Sequence, residues 1–434
     1  MHYYSTNKQS GEATLPEAVL KGLAGDGGLY MPEHIPQLPA SFIQTLHTKS
    51  LHEIAFAVAA AFVQDEVPAG VLQELVEEAL DFPIPLHEVE KGIYTLELFH
   101  GPTMAFKDVG ARFMSRLMAY FTRNESRELK VIVATSGDTG SAVAAGFYNV
   151  PGIQVYILFP KGKVSPLQQK QLTTWGGNIT AIEVEGTFDD CQRLAKQALA
   201  DDELHESFLL TSANSINIAR LIPQSFYYFY AYAQVQQQGK PVVFSVPSGN
   251  FGNLTGGLLA AAMGLPTHHF VAATNANDVV PQYLRTGKYE PRASVPTISN
   301  AMDVGNPSNY ARMQELFEAD HQLFCASVSG FTFTDDQTRS AIQEVYREHH
   351  YLLDPHGSIA YLGLKQYLDA HKSDAIGICL ETAHPAKFRE VMESTLGHTI
   401  EIPPQLQVFL NKPEQFLPIK NGFDQLKTLL KSRF

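Results

Sequence analysis

The sequence predicts an α/β protein: two parallel-sheet α/β units preceded by a helix-rich N-terminal cap. Three observations carry this. From Lys130 onward, apolar strand-like runs alternate with helical ones; the alternation resumes after Pro241; and the first ninety residues show helical periodicity instead. A strand-helix-strand alternation is the pattern of a parallel sheet, whose crossovers are helices.

In the cap, apolar spacing predicts helices over Leu15–Leu23, Leu51–Phe62 and Val71–Leu80, with the turn-dense GLAGDGGLYMPEHIP between the first two. YTLELF (Tyr94–Phe99) reads as a short strand that Gly101 and Pro102 break, and from Asp108 the residues Val109, Phe113 and Leu117 recur at helical spacing. KVIVAT then leads into a helix reaching Phe147, IQVYILFP into one around Leu167–Trp175, and NITAIEVEG into one through Leu194. After Pro241, PVVFSV precedes the small-residue helix LTGGLLAAAMG and the strand FVAATN, and AIGICLE is a further buried strand. Thr334, three residues before Gln337, opens a scaffold helix with a capping box. The aromatic run in NSINIARLIPQSFYYFYAYAQV is expected to pack in a core or a subunit contact. The expected division is a cap over residues 1–90, the two α/β units over 91–400, and a C-terminal extension over 401–434 that ends in a helix.

Composition narrows the class. Of 434 residues, 44% are hydrophobic and 18% charged, which is ordinary for a globular chain. A formal charge of -13, from 32 basic and 45 acidic residues, argues against nucleic acid or an anionic membrane as partner. Cys191, Cys325 and Cys379 are widely separated and never form a C-x-x-C pair, so neither a disulfide framework nor a cysteine zinc site is indicated. The N-terminus lacks a charged segment followed by an apolar run and cleavage site, and no run approaches the roughly eighteen apolar residues of a membrane span. The expectation is a cytoplasmic protein, monomeric or homodimeric.

Chemistry concentrates at three strand-to-helix joints. Lys107, in HGPTMAFKD, sits at the entrance of a helix, where the positive end of the dipole disfavours a cation; structure alone gives no reason to keep it there. SGNFGN (Ser248–Asn253) follows an apolar strand and precedes a helix, so its amides can turn toward one anion; taken alone it is equally a plain Gly-Asn turn. TSGDTGSA (Thr135–Ala142) is a second such loop, readable as an ordinary N-cap or as a carboxylate clamp. A lysine that condenses with a carbonyl and a loop that holds a phosphate together point to pyridoxal phosphate, against the alternative that Lys107 is a surface lysine. No metal is indicated: the histidine pairs lack ligand spacing and H-E-x-x-H is missing.

Six ordered motifs extend this reading. HGPTMAFKD, TSGDTGSA, NSINIARL, PSGNFGN, DPHG (Asp354–Gly357) and ETAHPAKF (Glu381–Phe388) resemble, in this order, those of the threonine synthases, and more loosely the wider fold-type II pyridoxal phosphate enzymes. GDGGLYMPEHIP and the YYSTN opening resemble the longer bacterial and fungal subgroup, so the likeness runs from the first residues to about Phe388.

The resemblance implies the tryptophan synthase β-like fold, with the cofactor in the cleft between two subdomains. It implies that Lys107 is the Schiff-base lysine, that Gly249, Asn250, Phe251, Gly252 and Asn253 hold the cofactor phosphate, and that the Thr382 hydroxyl faces the pyridine nitrogen. Thr135 and Thr139 match the loop that receives the substrate carboxylate, and Ser215, Asn217 and Arg220 match a segment that meets the substrate phosphate. Many relatives have asparagine where this chain has Asp138, which leaves the cofactor contact of that side chain open. The implied reaction converts O-phospho-L-homoserine and water to L-threonine and phosphate. A serine/threonine dehydratase or cysteine synthase shares the lysine and the loop but lacks the cap and the SINIAR segment, and a non-catalytic pyridoxal phosphate-binding relative is the alternative from another class.

Overall fold

The computed structural model describes residues 1–432 and divides the chain into two compact units. The division is not linear. One unit comprises Met1–Glu33, Lys107–Arg220 and the segment from Ile402 onward; the other comprises His34–Phe106 and Leu221–Glu401. The first ninety residues are therefore shared between them.

The first unit is built on a five-stranded, all-parallel sheet in the order Leu417–Lys420, Ile179–Glu185, Ile153–Pro160, Leu129–Ala134, Leu209–Thr211. Its central strands are buried almost throughout, which is why IQVYILFP carries no polar alternation. Ile132, Leu158, Ile182 and Leu194 form a core that Leu426 and Leu430 of the terminal helix Phe423–Lys431 complete. Each such side chain contributes about 1.5–3 kcal/mol by leaving water. Lys130, 1% exposed, lies over the Phe208 ring at 3.8 Å and donates to the Leu430 carbonyl and, at 3.3 Å, to the Tyr156 hydroxyl. The C-terminal extension thus adds an edge strand and a helix held by a buried cation at its last carbonyls. At the N-terminus, Asp26 accepts from the Ser5 hydroxyl at 2.6 Å and from the amides of Gly28, Gln9 and Ser10, and these bonds, Ser5 first, pull its carboxyl down to about 2.

The second unit has a six-stranded sheet in the order Val328–Thr332, His269–Thr274, Val242–Pro247, Ile376–Glu381, Ile93–Glu97, Leu86–Glu90. All neighbours are parallel except the last pair, an antiparallel hairpin with a bulge between Glu88 and Glu90. The long helix Pro355–His371 lies on the sheet, where Ile359 and Leu364 join Val243, Val271 and Cys379 in one core. The aromatic helix Phe226–Val235 is core, as expected: Tyr228 stacks edgewise on Phe244 at 5.0 Å and donates its hydroxyl to the Asn253 carbonyl at 2.8 Å. The capping box at Thr334 and Gln337 forms, as does a second one at Ser50 and Glu53.

Candidate active site

In the second unit the glycine loop joins strand Val242–Pro247 to helix Gly252–Ala262. Phe251 adopts the left-handed conformation at φ 60°, a costly choice for a non-glycine residue, and it is 1% exposed. A left-handed residue at the start of an eleven-residue helix is a backbone construction that can receive a phosphate. No acceptor among the described residues takes the N–H of Phe251, Gly252 or Asn253. Gly249 must be glycine because a Cβ there would lie 2.6 Å from Met302 Cα. Asn250 accepts from the Ser308 amide at 2.6 Å through Oδ1 and from Asn309 Nδ2 at 3.1 Å through its carbonyl, and Asn253 Nδ2 returns to the Pro247 carbonyl at 2.8 Å. The loop is preorganised, and its unused amides fit a phosphate-bearing cofactor.

Thr382, 7% exposed, lies just past the end of strand Ile376–Glu381 in the same unit. The segment leading toward Lys107 is laced to this strand end. Leu98 N–H donates to the Glu381 carbonyl at 3.0 Å, Phe106 N–H to the Thr382 carbonyl at 2.8 Å, and His384 N–H to the Met104 carbonyl at 3.1 Å. His384 caps the turn Pro385–Phe388 by accepting the Ala386 amide at Nδ1, and burial pulls the imidazole down to about 4. That makes it structural.

In the first unit Lys107 is the first residue of helix Lys107–Thr122 and is half-buried, so it is no ordinary surface lysine. The unit also contains Thr135, Asp138, Thr139, Ser215, Asn217 and Arg220. The N-cap of helix Asp138–Phe147 is Gly137, which has no capping side chain; Thr135, two residues earlier, instead accepts the amides of Gly137 at 3.0 Å and Gly140 at 2.9 Å through Oγ1. Thr139 is half-buried one turn away. Asp138 is buried and accepts Gln168 Nε2 at 2.9 Å. Asn217 is committed to the fold: Nδ2 donates to the Val19 carbonyl at 2.8 Å and Oδ1 accepts the Ala219 amide at 3.0 Å. Helix Ile218–Leu221 is a single turn with Arg220 in its last positions, so a helix start adds little positive potential there. Ser215 is half-buried in the turn before it. Arg220 is 3% exposed, donates Nη1 to the Ala213 carbonyl at 2.6 Å and lies so close to Gly110 that a Cβ there would be 3.0 Å from Nε. Burial pulls its guanidinium down to about 10, and Asp108 opposes that shift.

Several groups around the loop escape a reading of sequence alone. Arg312 is fully buried with Nη1 on Asn309 Oδ1 at 3.0 Å, and burial pulls it down to about 9. Asp354, His356 and Glu381 form a buried polar chain; DPHG and ETAHP mark its members as motifs without revealing that they meet. Among the described residues no group of three or more His, Cys, Asp or Glu is arranged to hold a metal, and no helix is long and apolar enough to cross a membrane.

The parallel sheets, the glycine loop and the helix-initiating lysine define a class, the α/β enzymes of fold-type II that work with pyridoxal phosphate; residues 81–380 match the family described as pyridoxal-phosphate dependent enzyme. Residues 2–80 match the threonine synthase N terminus and residues 359–430 the threonine synthase C-terminal region. The chain belongs to the threonine synthase family. It is 46% identical over 434 residues to threonine synthase of Haemophilus influenzae, covering 100% of both chains. The crystal structure of threonine synthase from Escherichia coli superposes with a TM-score of 0.92 at 40% identity, covering 99% of each chain. A pyridoxal phosphate-bound threonine synthase from Brucella melitensis gives 0.92 at 35% identity, covering 99% of this chain and 98% of that one. The chain is accordingly a pyridoxal phosphate-dependent lyase with threonine synthase activity on a small-molecule substrate.

Proposed function

We propose that the substrate is O-phospho-L-homoserine, which with water gives L-threonine and phosphate, and that the residues implied by the family motifs carry the reaction. The observation that carries this assignment is the tie of Phe106 to Thr382, which fixes the chain entering Lys107 against the strand end that follows Glu381. Pyridoxal phosphate, when bound, supplies the electron sink for carbanion chemistry. In this reading Lys107 bears the cofactor, the amides of Gly249–Asn253 hold its phosphate, and the Thr382 hydroxyl meets its ring nitrogen as a neutral partner. Asp138, fixed by Gln168, orients the loop next to the cofactor.

Thr135 and Thr139 receive the substrate carboxylate, Thr135 chiefly by shaping the loop. Arg220 and Ser215 receive the substrate phosphate, with Asn217 holding the turn that presents them. In this reading Lys107 Nζ would take the α-proton and carry protons between the carbons, phosphate would leave with the γ C–O electron pair, and water would add its hydroxyl at the β-carbon and give its proton to the departing phosphate. Reaction choice then depends on positioning, because a hydroxyl at the ring nitrogen leaves the sink weak. We place the enzyme in the cytoplasm as a monomer or homodimer, a location supported by three free, widely separated cysteines. The test is to incubate the purified holoenzyme with O-phosphohomoserine and assay phosphate and threonine: equal release of both is expected, whereas a 2-oxo acid and ammonia, or no turnover, would overturn the assignment.

A further inference from the structure

A buried polar chain in the second unit connects the strand end before Thr382 to the back of the glycine loop. Asp354 caps helix Pro355–His371, accepting the amides of His356 at 2.8 Å and Gly357 at 3.3 Å. Its own amide donates to Glu381 Oε2 at 3.3 Å. Glu381 presses so closely on the helix that a Cβ at Gly357 would lie 1.8 Å from Oε1. On the other side, His356 Nδ1 is 2.6 Å from Asp354 Oδ1, and Nε2 faces the Ala301 amide at 3.3 Å. A backbone N–H only donates, so Nε2 is the acceptor and the ring proton sits on Nδ1, toward Asp354. Ala301 and Met302 are the residues against which Gly249 is packed, with Ala301 O at 3.0 Å and Met302 Cα at 2.6 Å from its absent Cβ position. Asp354 and Glu381 are 0% exposed and His356 2%.

We propose that Asp354 and His356 are positioning residues for the cofactor phosphate, holding the 299–303 segment against Gly249 through the chain Glu381–Asp354–His356–Ala301. The proposal rests on the reading that Gly249–Asn253 holds that phosphate. With the Ala301 amide bound to His356, Met302 stays seated and the loop keeps the one conformation in which its amides converge. Without it, the 299–303 turn is released on this side, although Asn275 Nδ2 still holds Ser299 and Asp303. Glu381 anchors the far end by accepting the Asp354 amide at Oε2; burial, and then the charge of Asp354, push its carboxyl well above the usual carboxylate range. The other titratable groups acting on this cluster include Asp303, which lies in the 299–303 segment and interacts with His356, and Glu97, which accepts from His100 and Tyr351, together with Tyr351, His384 and Cys379.

The experiment compares binding of pyridoxal phosphate and of phosphate-free pyridoxal to apo protein, wild type against His356→Ala and His356→Gln, with amide hydrogen exchange read at 249–253 and 299–303. His356→Ala is expected to weaken pyridoxal phosphate at least tenfold, to change pyridoxal less than twofold, and to speed exchange in both segments. His356→Gln, whose amide oxygen can accept the Ala301 N–H, is expected to recover most of the loss. If His356→Ala does not fold, Asp354→Asn replaces it and is expected to show the same selective loss. Equal weakening of both ligands, or pyridoxal phosphate affinity within twofold of wild type, would overturn the proposal. No substrate enters this test, so it stands apart from the substrate assignment. Gly249→Ala is run beside it: unchanged affinity in that variant would place the failure in the reading of the loop.

Discussion

The Phe106 amide donates to the Thr382 carbonyl at 2.8 Å, so the backbone at Thr382 and its side chain have separate jobs. The backbone fixes the chain that enters Lys107, whereas the proposed assignment gives the hydroxyl to the cofactor ring. Thr382→Ala removes only the second. It is expected to retain bound cofactor and to lower kcat by about tenfold to a hundredfold, roughly 1.4–2.8 kcal/mol. Cofactor absorbance and turnover of the same preparation check this; loss of cofactor at saturating concentration would contradict the separation.

Gly249→Ala tests the loop sterically. The added methyl meets backbone at 2.6 Å, which no side-chain rotation relieves, so the loop or the 300–302 turn must move. Overpacking of this kind costs about 1–3 kcal/mol. We expect cofactor affinity to fall at least about tenfold, roughly 1.4 kcal/mol, with the fold retained by circular dichroism.

Arg220→Ala separates binding of the substrate phosphate from packing. A desolvated, charge-assisted contact to phosphate predicts a loss of roughly 2–4 kcal/mol in kcat/KM for O-phosphohomoserine, with the cofactor spectrum unchanged. Arg220→Lys is expected to restore only part of this, since a point charge does not replace a planar fork. Near wild-type kcat/KM in the alanine variant would show that Arg220 serves only its bond to Ala213 and its packing on Gly110.

The legible parts of the fold were those where burial writes a long pattern. IQVYILFP is the strand Ile153–Pro160 residue for residue, because both sheet faces are covered and every position but Gln154 is buried and largely apolar. The strand Leu417–Lys420 escaped because LPIK offers two apolar side chains, a proline and a lysine, too short a run to show a period. The capping box at Thr334 was readable because its four residues are contiguous. The chain from Glu381 through Asp354 and His356 to Ala301 was not, because three distant segments supply it and only the tertiary fold brings them together. The place of Lys107 at the first position of a helix was legible in HGPTMAFKD, whereas the full use of Asn217 in local hydrogen bonds was not.

Glu381 also predicts a pH dependence of stability. Its folded pKa lies well above its unfolded one, so the folded state keeps a proton that the unfolded state releases. The neutral form therefore favours folding fully below the unfolded value, and this contribution is lost as pH rises toward the folded value. Relative to Glu381→Gln, wild type should lose unfolding free energy as pH rises above the unfolded carboxylate value of about 4.3, by at most about 1.4 kcal/mol per pH unit over the range below the folded value. Denaturant unfolding of both proteins across that range measures the difference; parallel curves would show that Glu381 is ionised in the fold.

The measurement that bears most directly on the account is the identity of the lysine that carries the cofactor. Holoenzyme reduced with borohydride and digested should yield one pyridoxyl-labelled peptide, HGPTMAFKD with its flanks, modified at Lys107, and Lys107→Ala should yield none. A label on any other lysine, or an unchanged label in the variant, would contradict it.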